Sequence, residues 1–394
     1  MNRQVLTIED VCLRVTSGGT PSRRVSAFFK GDIPWLKTQE LRDTWVYETE
    51  EHITRDAVNQ SSAKLLPAHS VMMAMYGATA GKLAILGSEM TCNQAACAMV
   101  VDPDKADYRY LYYSLLNDRA RIVDRANGAA QQNLSARAIK ALEYSFPPIE
   151  EQRVIAATLG ALDDKIESNR RASKLAQELL RARFRAWFTE YLPWGGKRPV
   201  DWREGKLRDV VDLVRTPTKP GCYPQRPYVP IDTIPMDSLG LSHSRDNSEA
   251  KSSLFTFEAD DILLGAMRVY FHRVALAPYA GITRNTTFVL RPKSRSHLAF
   301  ALLTLDDDAT IAHANATSKG STMPYAVWDG ALAEMPLFIP PEETIERFEN
   351  ECAPLVELVR DQLFQSTKLQ TLRDALLPDL VSGRIRVLAE EGAA

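Results

Sequence analysis

Two stretches of this chain, about 190 residues apart, are written to the same plan. SSAKLLPAHSVMMAMYGATAGKLAILGSEMTCNQAACAMVVDP (61–103) lies over SSLFTFEADDILLGAMRVYFHRVALAPYAGITRNTTFVLRPK (252–293) when Val71 is placed on Ile262. In each, an apolar run passes through a loop into a second run, KLAIL or RVALA, and Asn93 falls on Asn285. GAAQQNLSARAIKALEYSFPPIEEQ (128–152) is answered by GSTMPYAVWDGALAEMPLFIPPEETI (320–345), and SGGTPSRR (17–24) by VRTPTKPG (214–221). Identities are sparse, but their order holds over most of both halves. A duplicated module has to fold as two like units. The length, 394 residues, also asks for more than one core.

Each copy opens with about 150 residues in which short apolar runs alternate with loops rich in Gly, Thr, Asn and Pro. This composition predicts a mixed α/β (α+β) unit. Helices are expected at 108–126 and 296–316. A Pro-Pro pair then marks a helix start, which tolerates proline in its first turn. Glu150 and Glu151, or Glu342 and Glu343, follow where the helix dipole favours acids. Residues 149–188 hold no proline and a single glycine, Gly160. Ile155, Leu159, Leu162 and Ile166 alternate spacings of four and three, as in a coiled-coil seam. The seam crosses Asn169 and Ser173 and resumes at Ala176, Leu180, Phe184 and Trp187. Residues 342–377 repeat the pattern with Ile345, Phe348, Cys352, Leu355 and Val359, a polar break at Gln362 and Ser366, then Leu369, Leu372 and Leu376. Helices of roughly 55–60 Å need a partner for such a stripe. An antiparallel pair is expected, setting the basic end of the first (Arg170, Arg171, Lys174, Arg181, Arg183, Arg185) beside the acidic start of the second (Glu342, Glu343, Glu346, Glu349, Glu351). The domains expected are therefore a first globular unit at 1–148, a long helix at 149–188, a linker at 189–206, a second unit at 207–341, and a second helix with its tail at 342–394.

The motifs argue against chemistry on this chain. A phosphate-binding loop needs four residues between its glycine and Gly-Lys, then a hydroxyl. YGATAGKL (76–83) has three, and Leu83 in the hydroxyl position. SFPP and FIPP lack the leading Asn or Asp and the trailing aromatic of an amino-methylating loop, and no G-x-G-x-x-G opens a helix. The six histidines show no metal spacing, Asp260-Asp261 has no downstream E-x-K, and Asp306–Asp308 reads as a solvated turn. No cofactor or metal is expected on the chain. Five scattered cysteines suggest free thiols in a reducing cytoplasm. The N-terminus carries no export signal, and no run of 18 apolar residues suggests a membrane span. A net charge of −2 excludes a uniformly basic surface but leaves room for local basic faces.

What remains suits binding to nucleic acid. Amide side chains able to read base edges sit in the inter-strand loops: Gln39, Asn93, Gln94, Gln131, Gln132, Asn133 and Asn285. Cations and hydroxyls suited to phosphates accompany them: Lys37, Thr79, Lys82, Arg268, Arg273, Arg284, Lys319, Ser321 and Thr322. The same loops add Gly18, Gly19, Thr20, Tyr76 and Gly77 in the first module, and Arg215, Thr216, Lys219, Tyr270 and His272 in the second. Glycine would let a backbone N–H approach a phosphate closely.

GDIPWLKTQEL (31–41), YGATAGKLAI (76–85), CNQAACAM (92–99), GAAQQNLS (128–135), FPPIEEQRVIAATLGALDDKIE (146–167), LLRARFRAWF (179–188) and LLPDLVSGRIRV (376–387) together resemble the specificity subunit of type I restriction-modification systems. The resemblance implies two target-recognition domains joined by two long antiparallel helices. Each domain would read one half of a split DNA sequence, with the helices as a ruler for the spacer. It also implies partners: double-stranded DNA, two modification methyltransferase subunits that bind S-adenosylmethionine, and restriction/translocase subunits that use ATP and magnesium. The alternatives are a fused subunit with its own methylation or cleavage site, and an interaction scaffold that does not bind DNA.

Overall fold

The computed structural model describes residues 3–127, 134–236 and 238–386. The candidate side chains Gln131, Gln132 and Asn133 lie outside them. The chain divides into two compact units, Met1–Glu167 with Leu369–Ala394, and Ser168–Lys368. Both divisions fall inside the long helices, so each unit takes part of both.

The first unit contains β1 (Gln4–Thr7), β2 (Cys12–Ser17), β3 (Ile33–Leu36), β4 (Thr44–Val46) and β5 (His52–Ile53). After a short helix, α1 (Arg55–Asn59), come β6 (Val71–Ala74), β7 (Leu83–Leu86), β8 (Thr91–Cys92) and β9 (Ala96–Val101). Helices α2 (Tyr108–Asn117), α3 (Arg119–Asn127) and α4 (Ala136–Lys140) precede β10 (Glu143–Phe146). The main sheet has the order β2-β9-β6-β7-β4, a second sheet β5-β3-β8, and β1 pairs with β10.

Strands β6 and β7, VMMA and LAIL, are buried at every position, as continuous apolar runs require when both faces are covered. Their residues sort by alternation. Val71, Met73, Leu83 and Ile85 join a core with Tyr110, Leu111 and Leu159, whereas Met72, Ala74, Ala84 and Leu86 join a second core with Leu36 and Met90.

The second unit contains β11 (Arg203–Lys206), β12 (Val211–Val214), β13 (Pro217–Thr218), β14 (Tyr228–Val229) and β15 (Leu254–Phe257). They are followed by β16 (Ile262–Gly265), β17 (Val274–Leu276), β18 (Gly281–Arg284), β19 (Thr287–Pro292) and β20 (Pro336–Ile339). Its sheets run β12-β19-β16-β17 and β13-β15-β18-β14, with β11 paired to β20. The first of these repeats the order β2-β9-β6-β7. The register repeats too. Met72 pairs with Ala84 and Ala98; about 190 residues on, Leu263 pairs with Ala275 and Val289. A one-residue slip in either copy would exchange its two cores. The duplication is therefore structural, and the placement of Val71 on Ile262 is its true register.

Two details differ from expectation. The helix expected at 108–126 is two helices, α2 and α3, and that expected at 296–316 is α6 (Leu298–Asp306) and α7 (Asp308–Ala316). In the second pair the break is made by Asp307, whose extended backbone ends α6 and whose side chain accepts from Ala309 N to cap α7. The reading of Asp306–Asp308 as a solvated turn fails at Asp306, which is 5% exposed and ion-paired with Arg181.

The long helices are α5 (Ile149–Phe184, 36 residues), continued by a π turn at Arg185–Thr189, and α8 (Glu342–Ser382, 41 residues). Helix α8 runs through Pro354 and Pro378, each of which forfeits one backbone hydrogen bond. Gly160 has a packing reason: a Cβ there would meet Arg109 Nη1 at 2.1 Å, and Arg109 crosses it to hold Asp164 through bonds of 3.0 and 3.1 Å. The helices are antiparallel within each unit. In the first, Arg3 binds Val381 O at 2.6 Å and Glu151 at 3.4 Å, while Arg373 holds Asp163 at 2.7 Å. In the second, Trp187 packs edge-on against Phe348 and Arg183 pairs with Glu351. Leu372, expected in the seam, is 47% exposed; Leu377 and Leu380 are buried instead.

The polar break in the seam is a buried layer. Asn169 and Ser173 are 1% and 3% exposed. Gln177 donates to Ser173 Oγ at 3.0 Å and accepts from Leu239 N at 2.8 Å. Neither amide atom of Asn169 has a hydrogen-bond partner among the described residues, nor does Gln362 Oε1.

Candidate nucleic-acid interface

The loop that follows β6 and the loop that follows β16 have the same backbone. Gly77 and Gly81 both have φ +77°; their counterparts Arg268 and His272 both have φ +50°. Between them lies one short 3-10 turn, Gly77–Thr79 or Val269–Phe271. Ala80 N donates to Gly77 O at 3.1 Å, and Phe271 N to Arg268 O at 2.9 Å. The turn is seated alike in both copies: Met75 N binds Ala95 O and Leu134 N binds Met75 O, while Ala266 N binds Thr286 O and Ala326 N binds Ala266 O. The glycines of YGATAGKL are therefore accounted for by two left-handed positions. Outside glycine that backbone costs roughly 1–2 kcal/mol per residue. The second unit carries this cost twice.

Each turn is pinned by an acid. In the first unit Asp43, itself left-handed at φ +59°, accepts from Lys82 Nζ at 2.9 Å, from Leu83 N at 3.0 Å and from both terminal nitrogens of Arg119. Arg119 Nε also binds Gly81 O at 3.1 Å. In the second unit His272 Nε2 lies 2.9 Å from Asp306 O and 3.0 Å from Asp306 Oδ1, and Arg181 Nε holds Asp306 at 2.7 Å. The two pins come from different parts of the chain and do not align. Lys82, still exposed, and the half-buried His272 thus each brace their turn through an acid.

Of the first-unit candidates, the fold gathers Gly18, Gly19, Thr20, Tyr76, Asn93 and Gln94. Thr20 Oγ1 donates to Gln94 Oε1 and Tyr76 OH to Gln94 O at 2.8 Å. Gly18 and Gly19 lie against the backbone of Cys92–Asn93 and of Ser62, with no space for a Cβ. Gly77 is exposed at the tip of the adjoining turn, beside Thr79, which is half-buried. Lys37 follows Leu36, whose carbonyl binds Asn93 N at 2.9 Å, but its ammonium is held by Glu50 at 2.6 Å and Glu51 at 3.3 Å. Gln39 is exposed in the next turn.

In the second unit the loop 319–325 lies along the 266–273 turn: Lys319 and Tyr325 exchange backbone hydrogen bonds, and Arg268 N donates to Pro324 O at 2.7 Å. Arg268, Tyr270, Lys319, Ser321 and Thr322 are thereby brought together. Arg284 and Asn285 are exposed on the strand end beside Thr286, which seats the turn. Arg273 is turned back onto Ile234 O. Arg215 pairs with the exposed Asp329 at 3.2 Å, and Thr216 and Lys219 are exposed on the neighbouring strand and its loop. Sequence reasoning missed Asp43, Arg119, Phe271, Met323 and Tyr325. The signal for Phe271 was present, since aligning the repeat at one offset sets Ala80 on Phe271.

Among the described residues no group of three or more His, Cys, Asp or Glu side chains could hold a metal ion, and no helix is long and apolar enough to cross a membrane. All five cysteines are free, and burial pushes the thiols of Cys12, Cys92, Cys97 and Cys352 up to about 12.

A duplicated α/β unit, with polar and cationic loops on the same strand ends in each copy, defines a two-module protein. Residues 2–177 match the family model described as the type I restriction modification DNA specificity domain. The type I restriction enzyme MjaIX specificity subunit of Methanocaldococcus jannaschii is 23% identical over 95% of this chain and 91% of its own length. The EcoR124I/EcoR124II specificity subunit of Escherichia coli is 29% identical over 37% of each chain. The crystal structure of a type I restriction-modification S subunit from M. genitalium superposes with a TM-score of 0.61 at 16% identity, covering 96% of both chains, and shares the fold. Residues 2–177 therefore match that DNA specificity domain, and the chain over nearly its whole length is similar to a type I specificity subunit.

Proposed function

We propose that each unit reads one half of a bipartite, asymmetric DNA sequence, and that α5 and α8 set the unspecified spacer and dock two methyltransferase subunits. The chain does no chemistry. S-adenosylmethionine belongs to the methyltransferase partners, and ATP with magnesium to a restriction/translocase partner, in a cytoplasmic complex on DNA. The observation that carries this reading is the paired turn. One backbone is kept in both units while its tip changes from Ala78, Thr79 and Ala80 to Val269, Tyr270 and Phe271. A frame held constant with altered tips is what two readers of different sequences require, because base edges specify and the frame positions. The test is to exchange residues 1–148 for those of a relative and to map methylated adenines in cellular DNA. One half of the target should change and the other stay. A change in both halves would refute one unit per half-site.

A further inference from the structure

The 266–273 turn puts large apolar groups where a folded chain ordinarily hides them. Tyr270 is 49% and Phe271 39% exposed, with ring centroids 4.9 Å apart and planes tilted by 56°. The loop paired to it adds Met323 and Tyr325, also about half exposed. Tyr270 and Phe271 pack on each other, and the backbone pairing of the two loops brings the segment bearing Met323 and Tyr325 alongside them. The backbone under it is strained at Arg268 and His272, and the unit holds that strain with the Arg268–Pro324 and His272–Asp306 contacts. Outliers so firmly held point to use. The first unit makes the same turn with glycine at both left-handed positions and small residues at the tip, its one aromatic, Tyr76, lying before the tip and bound to Gln94 O.

We infer that Tyr270 and Phe271 are an aromatic wedge that enters the duplex and stacks at one base step of the half-site bound by the second unit. This rests on the reading that the second unit binds DNA, and adds how one half-site is read. Two observations favour DNA as the occupant. The tip is flanked by a cation: Lys319 is exposed on the loop paired to it, with no ion-pair partner among the described residues. It is also continuous with the loops bearing Arg284, Asn285, Ser321 and Thr322. Apolar side chains set between cations are the usual means of prying open a base step, the cations gripping phosphates on either side. A flexible pyrimidine–purine step opens most easily, so the wedge would select such a step without reading its edges.

The experiment uses the full chain assembled with its methyltransferase subunits, and duplexes carrying the mapped target with 2-aminopurine at successive positions. Wild type should brighten a probe at the wedged step of one half-site, separate from any signal at the methylated adenines. Tyr270→Ala/Phe271→Ala should abolish that signal, weaken specific binding about tenfold or more, and leave the salt dependence unchanged, since no phosphate contact is lost. Tyr270→Trp should retain the signal. The single Tyr270→Ala variant, expected to show the same losses in part, carries the test if the double variant aggregates. An unaltered probe pattern and affinity in the alanine variants would overturn the wedge while leaving half-site binding intact. Loss of the methyltransferase subunits with DNA affinity unchanged would make the tip a protein interface and also overturn it. Absence of sequence-specific binding by wild type would instead refute the underlying function.

Discussion

Gly77 and Gly81 share a φ of +77° but not a setting. A Cβ on Gly77 would point into open space, whereas one on Gly81 would stand 2.8 Å from Val123 Cγ2. Gly77→Ala therefore incurs only the left-handed penalty of roughly 1 kcal/mol. Gly81→Ala adds a displaced α3 and should cost more, about 2–3 kcal/mol in total. Urea unfolding of the two variants should rank them in that order; equal midpoints would mean the turn is not held as described. This scale also shows where sequence reading stopped. GATAG is visible as a glycine loop, but the sign of φ is not, and a phosphate cradle and a tight turn use the same residues. The charged groups were equally ambiguous. Nothing local to Lys82 says that Asp43 holds it, because that pair is joined by the β4–β7 contact across the sheet. Asp306 looked solvated because its partner, Arg181, is 125 positions away.

At the scale of elements, hydrophobic periodicity was enough for the strands and most of the seam. Each β6-type run is fully apolar and short, and its two faces fill two different cores. Periodicity misplaced Leu372 because Pro354 and Pro378 interrupt the backbone hydrogen bonds of α8 and the ideal heptad drifts over so long a helix. It could not see the breaks at Asp118 and Asp307 because aspartate serves both as a solvated residue and as a helix cap. The polar layer was legible as Asn169 and Ser173, and its burial gives it a consequence. An unpartnered buried amide costs about 1–3 kcal/mol, and such residues in a helical seam fix register. Asn169→Leu should raise the thermal midpoint by several degrees while loosening the choice of register. The measurable result is a mixture of spacer lengths among methylated sites. A stabilised variant with one unchanged spacer would remove the register role, and a destabilised one would show that the amide is satisfied in solution.

For the whole molecule, duplication was the most informative property of the sequence, because each copy can be compared with the other. It showed two units and one register. It did not show the bases read, since docking geometry and DNA shape intervene between a side chain and a sequence. On the proposed function, helix length sets the distance between half-sites. Removing seven residues, about two turns, from the middle of both α5 and α8 takes roughly 10 Å from each helix with little rotation. The most direct measurement is the position of methylated adenines across a genome modified by this shortened protein and its methyltransferase partner. Both half-sites should be retained around a spacer shorter by about three base pairs, taking one base pair per 3.4 Å. The same half-sites at the original spacing would contradict the ruler.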